Sequence, residues 1–355
     1  MTRAEYRGRR EALAARIAGQ KVDALLISHL PNVRYLTGFT GSNATLLLSQ
    51  KEATLFTDPR YAVQARQETG CRVRVVKGPT AKGVAAALGH AGRVGFEASH
   101  LTYDLFSLYR AAAPIRPVDP LVEELRQVKS PAEISLIRRS VEINSQAFDS
   151  ALRRIRPGRD TELDLAAEIE FQQRKHGAEG AAFETIVASG RRAALPHARP
   201  GREPIASNAL LLIDMGALSE GYASDMTRVV FLGKPSGTAV RYYQAVLDAQ
   251  LAAIDTVRAG VKTARVDQAA RRTLRRHGLD RLFTHSTGHG LGLEIHEAPG
   301  LRRTDKSVLR PGMAITIEPG VYREDFGGIR IEDTVLVTET GCEVLTPTPK
   351  DLLVI

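Results

Sequence analysis

Residues 209–231 read ALLLIDMGALSEGYASDMTRVVF, and residues 313–337 read MAITIEPGVYREDFGGIRIEDTVLV. Each stretch is an apolar run, a carboxylate, a turn-rich middle, a second carboxylate and a second apolar run. Short apolar runs bounded by turn residues read as buried strands, so each stretch reads as a β-hairpin. Asp214 closes the run that begins at Ala209, and Asp225 opens the run that ends at Phe231. A hairpin folded between Ser219 and Glu220 sets Asp214 directly opposite Asp225, on one face, with Cβ atoms about 5 Å apart. A second hairpin centred on Asp325 does the same for Glu318 and Glu332, although Pro319-Gly320 interrupts its first strand. Two carboxylates that close repel strongly unless a cation lies between them or one is protonated.

The two hairpins belong to a longer internal repeat, whose copies lie roughly one hundred residues apart. Arg156-Pro-Gly158-Arg-Asp-Thr161 is echoed by Arg258-Ala-Gly260-Val-Lys-Thr263. Each lies between two helical patterns, and the second pattern ends in His-Gly both times, at His176-Gly177 and His277-Gly278. Ser189-Gly190 parallels Thr287-Gly288, and His197 parallels His296. Asp214 parallels Glu318, while Ser224-Asp225-Met-Thr227 parallels Ile331-Glu332-Asp-Thr334. One helix–helix–sheet unit occurring twice predicts two half-sheets related by a pseudo-two-fold axis. A site between them receives two carboxylates from each half.

His289 stands outside this symmetry, because Arg191 fills its place in the first copy. It sits in Gly288-His-Gly-Leu-Gly292, whose three glycines exclude a regular helix and let backbones approach closely. Alternation from His289 predicts a strand. A single carboxylate at a strand end is usually a solvated residue, and a lone histidine is usually structural. Two repeat-related carboxylate pairs with an imidazole nearby point instead to a hard, oxygen-rich metal site. That set favours manganese, cobalt, iron or magnesium over structural zinc. Two such ions, about 3.5–4 Å apart, can share a bridging carboxylate and activate one water.

The first part of the chain has a different texture. Val22–Ser28, Ala44–Leu48, Ala53–Phe56, Arg72–Val76 and Val94–Phe96 read as strands. Pro59–Thr69 and Ala81–Leu88 read as helices, and the alternation predicts an α/β domain. Ser130, Pro131 and Glu133 carry the signature of a capped helix start, so a long helix is expected over 131–155. The chain of 355 residues thus divides into domains at 1–127 and 128–355.

Composition narrows the function classes. Of the net charge of +9, most lies in residues 1–127, with 18 Lys and Arg against 11 Asp and Glu. No basic run with interleaved aromatics concentrates it, so nucleic acid is not an expected partner. Cys71 and Cys342 fit no disulfide scaffold. The charged N-terminus lacks the apolar core of a secretory signal, and no apolar run approaches the length of a membrane span, so a cytoplasmic protein is expected.

Asp214 and Asp225, then Gly-His289-Gly, Ile-Glu318-Pro-Gly and Ile-Arg-Ile-Glu332-Asp, resemble the pita-bread metallopeptidases. Asn32-Val-Arg-Tyr-Leu-Thr-Gly-Phe-Thr-Gly41 and Arg126-Gln-Val-Lys-Ser-Pro-Ala-Glu-Ile134 resemble the creatinase/prolidase N-terminal domain and its junction. The combination is similar to the Xaa-Pro branch, aminopeptidase P and prolidase. It implies an α/β N-terminal domain before an α+β pita-bread catalytic domain. It also implies two divalent ions, manganese first, with cobalt or zinc as alternatives. By this resemblance Asp214 binds one ion, Asp225 and Glu332 bridge, and His289 and Glu318 bind the other. Glu318 serves as general acid/base, His197 and His296 contact the reacting carbonyl, and His285 lies further out. Thr227 and Arg330 support the ligands or touch substrate; for Arg330 a clamp on a substrate carboxylate is the alternative to a supporting role. The implied substrates are short peptides with proline second, cleaved by an Xaa-Pro aminopeptidase; Phe39-Thr-Gly-Ser-Asn43 resembles that subgroup. An Xaa-Pro dipeptidase and a non-catalytic binding protein are the alternatives. A homodimer or dimer of dimers is the implied assembly, with no membrane partner.

Overall fold

A computed structural model of the chain describes residues 1–355, the side chain of Ala18 excepted, and separates Met1–Arg126 from Gln127–Ile355. The first unit runs α1 (Arg3–Ile17), β1 (Ala24–Ile27), α2 (Leu30–Thr37), β2 (Ala44–Ser49), β3 (Ala53–Thr57) and α3 (Ala62–Glu68). It continues with β4 (Arg72–Val75), α4 (Thr80–Leu88), β5 (Val94–Glu97), α5 (Tyr103–Ala112), β6 (Ile115–Val118) and α6 (Leu121–Arg126). The strands form one mixed sheet in the order β4-β3-β2-β1-β5-β6. Every residue of central β1 is buried, which is why its sequence is a plain apolar run. The helix read from Pro59 begins later, at Ala62, after a 3-10 turn capped by Asp58. Four helices, α1, α2, α5 and α6, and strand β6 lie outside the sequence reading. In α1 only Arg10, Leu13 and Ile17 are buried, too thin a stripe to stand out by period.

The second unit opens on α7 (Pro131–Leu152), which begins in a full capping box between Ser130 and Glu133 and ends three residues short of Ile155. Next come α8 (Glu162–Lys175), β7 (Gly180–Ala181), β8 (Ile186–Ser189), β9 (Ala209–Met215), β10 (Ala217–Ser219), β11 (Tyr222–Ala223) and β12 (Met226–Leu232). A second series follows: α9 (Gly237–Thr256), α10 (Thr263–Arg276), β13 (Gly288–Gly290), β14 (Glu297–Leu301) and β15 (Ala314–Ile317). It closes with β16 (Gly320–Arg323), β17 (Gly327–Arg330), β18 (Asp333–Val337), β19 (Cys342–Val344) and β20 (Leu353–Val354). The half-sheets are ordered β20-β12-β9-β8 and β14-β13-β15-β18-β19. Each follows a helix pair whose second helix stops at a His-Gly step, with Gly177 and Gly278 both at positive φ.

The first hairpin differs from its expected register. Asp214 pairs with Thr227, not Asp225, and Ser219 pairs with Tyr222. The turn therefore centres on Glu220-Gly221, both at positive φ (46° and 79°), as a tight two-residue hairpin demands. A shift of two residues keeps every side chain on its face, so Asp225 stays on the Asp214 side as a diagonal neighbour. In the second hairpin Ile317 pairs with Asp333 and Gly320 with Arg330, the register centred on Asp325.

Alternation along these strands sets what faces the site. Leu211, Ile213 and Met215 pack with Phe148, Leu165 and Ile169 of α7 and α8. Leu210 and Leu212 point the other way, into the core shared with α9, α10 and the second half-sheet, and Asp214 continues their row. Ile315 and Ile317 pack in that same core, which leaves Thr316 and Glu318 on the opposite face of β15.

Arg228 joins the two halves. It is 3% exposed and its Nη2 lies 2.8 Å from Asp333 Oδ1. Nη2 also donates to the Thr348 carbonyl, Nη1 to those of Thr227 and Glu332, and Nε to that of Pro349, while Asp333 also receives Gln250 and Lys350. Breaking a buried ion pair costs about 3–5 kcal/mol; here the loss of Arg228 leaves Asp333 with only Lys350 and Gln250 and takes a donor from the carbonyls that Arg228 ties together. Arg228→Met should therefore lower the urea midpoint of this unit sharply, and Arg228→Met with Asp333→Leu should restore part of the loss. A single variant within about 1 kcal/mol of wild type would show that the pair does not hold the halves together.

Candidate metal centre

The two hairpins deliver their carboxylates to one cavity of about 670 Å³ lined by Asp214, Asp225, His289, Glu318, Arg330 and Glu332. His197, His285 and His296 line the same space. Asp225, His289 and Glu332 each bring one ligand atom within 4.8 Å of the others. His289 Nε2 is 3.6 Å from Asp225 Oδ2 and 3.4 Å from Glu318 Oε1. Asp214 lies slightly apart: its Oδ2 accepts from Arg330 Nη2 at 2.6 Å, and its buried Oδ1 has no hydrogen-bond partner among the described residues.

Close backbone packing places His289. A Cβ on Gly288 would fall 2.0 Å from the Thr316 carbonyl oxygen, and one on Gly290 would fall 2.4 Å from that of Ala298. The strand expected from His289 lasts only through Gly290, because Gly292 then donates to the Glu294 carbonyl and turns the chain. The turn brings His296 back against His289, ring centroids 4.4 Å apart. The His289 Nδ1 hydrogen bond to the Gly290 carbonyl leaves Nε2 for the cavity.

Arg330 is the guanidinium at the centre of this set. Nε donates to Thr227 Oγ1 at 3.0 Å, and Thr227 in turn donates to Glu332 Oε2 at 2.7 Å. Nη1 donates to Tyr322 Oη at 2.7 Å and to the Pro196 carbonyl. Four of its five N–H donors are engaged by the protein, which fits the supporting role and leaves one N–H of Nη2 for anything a substrate could offer. Tyr322 and Thr316 were not singled out in the sequence. Tyr322 links Arg330 to His285, whose Nε2 is 2.8 Å from its hydroxyl. Thr316 accepts from the His289 backbone and lies 3.4 Å from Glu318 Oε1. Simple alternation back from Glu318 places Thr316 on the ligand face, so that signal was present.

The electrostatics suit a cation. Burial, then the charges of Glu332, Asp214 and Glu318, push Asp225 well above the usual carboxylate range. Glu332 is driven up by burial and by Glu318 and Asp214. Burial raises Glu318 to about 7. The imidazoles move the opposite way: burial lowers His289 to about 4, and burial with Arg330 lowers His285 to about 4. His289 is thus favoured as the neutral imidazole, the form able to bind a cation, beside carboxylates that ionise readily only with positive charge nearby. Burial opposes the charge of Arg330 too, but Tyr322, Asp214, Glu318 and Glu332 outweigh it. One guanidinium against four carboxylates leaves room for further positive charge, and the partnerless Asp214 oxygen fits a metal ligand.

Comparison with known proteins gives the same direction. Residues 135–339 match the model of metallopeptidase family M24, and residues 9–128 match the creatinase/prolidase N-terminal domain. An Xaa-Pro dipeptidase of Pyrococcus horikoshii is 37% identical, over 94% of this chain and 95% of its own. The structure of an Xaa-Pro dipeptidase from Bacillus anthracis superposes with a TM-score of 0.95 at 38% identity, covering 99% of this chain and 100% of that one. That of an X-Pro aminopeptidase from Thermotoga maritima gives 0.90, also at 38% identity, over 96% and 99%. The chain belongs to metallopeptidase family M24, with a creatinase-type N-terminal domain preceding its pita-bread catalytic domain.

Proposed function

We propose that this metallopeptidase hydrolyses the bond before proline in short peptides, as an Xaa-Pro aminopeptidase using two divalent ions. The observation that carries the reading is the buried Asp225–His289–Glu332 cluster, with Glu318 and Asp214 on either side in one cavity. Asp225 and Glu332 are suited to bridge, Asp214 to hold one ion, and His289 with Glu318 to hold the other. Divalent ions bound there would supply Lewis acidity toward the scissile carbonyl and toward water. Glu318 is the group to take the proton from attacking water and return it to the departing nitrogen, since burial already brings its affinity for protons near neutrality. That proton matters, because a proline nitrogen leaves as a secondary amine and needs protonation. His197 and His296, exposed residues that line the cavity, would hydrogen-bond the carbonyl oxygen as charge develops. Arg330 and Thr227 hold Asp214 and Glu332 in orientation.

An Xaa-Pro dipeptidase is the second reading, supported by the names of the Pyrococcus and Bacillus relatives. A dipeptidase holds a carboxylate one residue past the bond, and four of the five Arg330 donors are already engaged. The remaining cavity arginines are Arg199 and Arg302 at the rim. Turnover of Xaa-Pro dipeptides beside Xaa-Pro-Yaa tripeptides separates the two readings, and preference for the tripeptide is expected. Xaa-Ala-Yaa should be cleaved at least ~100-fold more slowly than Xaa-Pro-Yaa, a difference that several lost ring contacts can supply. Equal cleavage would remove the proline assignment.

Asp225→Ala or Glu332→Ala should each lose most bound metal and nearly all turnover, because a bridging ligand serves both ions. Mass spectrometry of metal content checks this, and a variant retaining wild-type turnover would sink the assignment. Metal affinity should also rise with pH between about 6 and 8, as ligands must shed protons to bind. The protons come from Asp225, Glu332 and Glu318, all raised, while His289 is already neutral. Calorimetric titration of manganese in buffers of differing ionisation enthalpy should show proton release; pH-independent affinity without release would contradict it.

A further inference from the structure

The segment from His289 to His296 folds around a buried carboxylate that the proposed chemistry does not use. Glu297, the residue after His296, pairs with Gly290 at the mouth of the turn. Its Oε1 accepts the backbone N–H of Glu294 at 3.2 Å. The same carboxylate presses on Gly292, where an added Cβ would fall 2.7 Å from Oε1 and 2.9 Å from Oε2. The third glycine of Gly288-His-Gly-Leu-Gly292 therefore makes room for Glu297. On its other side the carboxylate meets Lys129, Nζ to Oε2 3.1 Å, with side-chain exposures of 1% for Lys129 and 6% for Glu297. Lys129 is itself anchored, its backbone N–H donating to the Gly312 carbonyl at 2.9 Å.

We infer that Lys129 and Glu297 are positioning residues: the buried pair fixes the 290–297 turn and so sets His296 against His289 over the proposed metal site. The carboxylate serves as a peg that holds the Glu294 N–H and fills the space beside Gly292. Lys129 neutralises that peg and ties it to the start of α7. A buried ion pair contributes little net stability compared with apolar residues of similar volume, so its value here lies in geometry. The inference rests on the reading of His296 given above, and the experiment keeps the two apart.

Full-length, metal-loaded protein is compared as wild type, Lys129→Met, Lys129→Arg, Lys129→Met with Glu297→Met, and His296→Ala. Steady-state kinetics on an Xaa-Pro-Yaa tripeptide, bound metal, and amide hydrogen exchange over 290–297 are read together. Lys129→Met should lower kcat on the order of 10–100-fold, the usual effect of losing a residue behind a metal-site group. KM and metal content should stay within about two-fold, exchange in the turn should speed up, and Lys129→Arg should recover most of the kcat. The Met/Met pair removes both charges and keeps the fold accessible if the single variant misfolds, yet it also lacks the peg. It should show the same low kcat and fast exchange. A folded Met/Met variant with wild-type kcat and a protected turn overturns the inference. Low kcat in His296→Ala but not in the Lys129 variants also overturns it. Wild-type kcat in His296→Ala instead sinks the role of that histidine, while the exchange readout still decides whether the pair fixes the turn.

Discussion

Four carboxylates converge in one buried cavity, and the repulsion among them is the constraint on which the rest depends. Asp225 and Glu332 are 5% and 2% exposed, so water does little to screen them. A cluster of this kind persists only with protons, cations or hydrogen-bond donors aimed into it. The fold supplies one buried guanidinium, Arg330, with Thr227 relaying it to Glu332. Further neutralisation comes from protons held on the raised carboxylates or from a cation that displaces them, and this exchange is the physical content of calling the cavity a metal centre. The same repulsion explains the surrounding stitching: Arg228, Gln250 and Lys350 compensate Asp333 directly behind Glu332. Charge balance is therefore built outward from the cavity in layers.

The duplication gives the convergence its geometry. Each half-sheet is backed by its own helix pair and extends one hairpin toward the other half. The halves meet through backbone contacts as well as side chains, with the Glu332 N–H donating to the Thr227 carbonyl and Thr334 Oγ1 to that of Asp225. Four carboxylate positions follow from one repeated pattern: Asp214 lies within β9, and Asp225, Glu318 and Glu332 each sit next to a strand end, at β12, β15 and β18, which limits their drift.

That pattern is why so much was legible beforehand. Runs that end or begin on a carboxylate, repeated at a steady offset, give the hairpins, their inner faces and the helix pairs before them. The first register was two residues out because Glu220 looks like a poor choice for a left-handed turn position, and only its pairing with Gly221 makes the tight turn. The error cost nothing in facing, since the strand period is two. Tyr322 escaped notice because its importance comes from reaching His285 and Arg330 across space, and no sequence period encodes that. Lys129 and Glu297 lie far apart in the chain, and neither spacing nor composition announces a pair between them. In the first unit, α1 and α2 were invisible for a different reason. α1 buries only Leu13 and Ile17 among its apolar residues, and α2, though largely buried, is eight residues long, too short for a helical period to show; Arg10 is buried in α1 and donates to the Leu36 carbonyl near the end of α2.

The repeat is also broken at one place, and the break accounts for the asymmetry of the site. The second copy uses Gly288-His289-Gly290 to bring an imidazole into the cavity, through backbone contacts too close for any side chain. In the first copy the matching segment becomes a 3-10 turn over Gly190–Ala194, with Arg191 exposed. That turn packs on β17 instead: a Cβ on Gly327 would meet the Gly190 carbonyl oxygen at 2.5 Å, and one on Gly328 would meet that of Ala193 at 2.1 Å. β17 is the strand that ends in Arg330, so the first copy gives up a ligand and supports the guanidinium beside Asp214. One side of the cavity is thereby completed by a neutral donor and the other by a fixed positive charge. A cation bound between such halves would meet unequal surroundings, with the His289 imidazole on one side and, on the other, an Asp214 carboxylate already shared with Arg330.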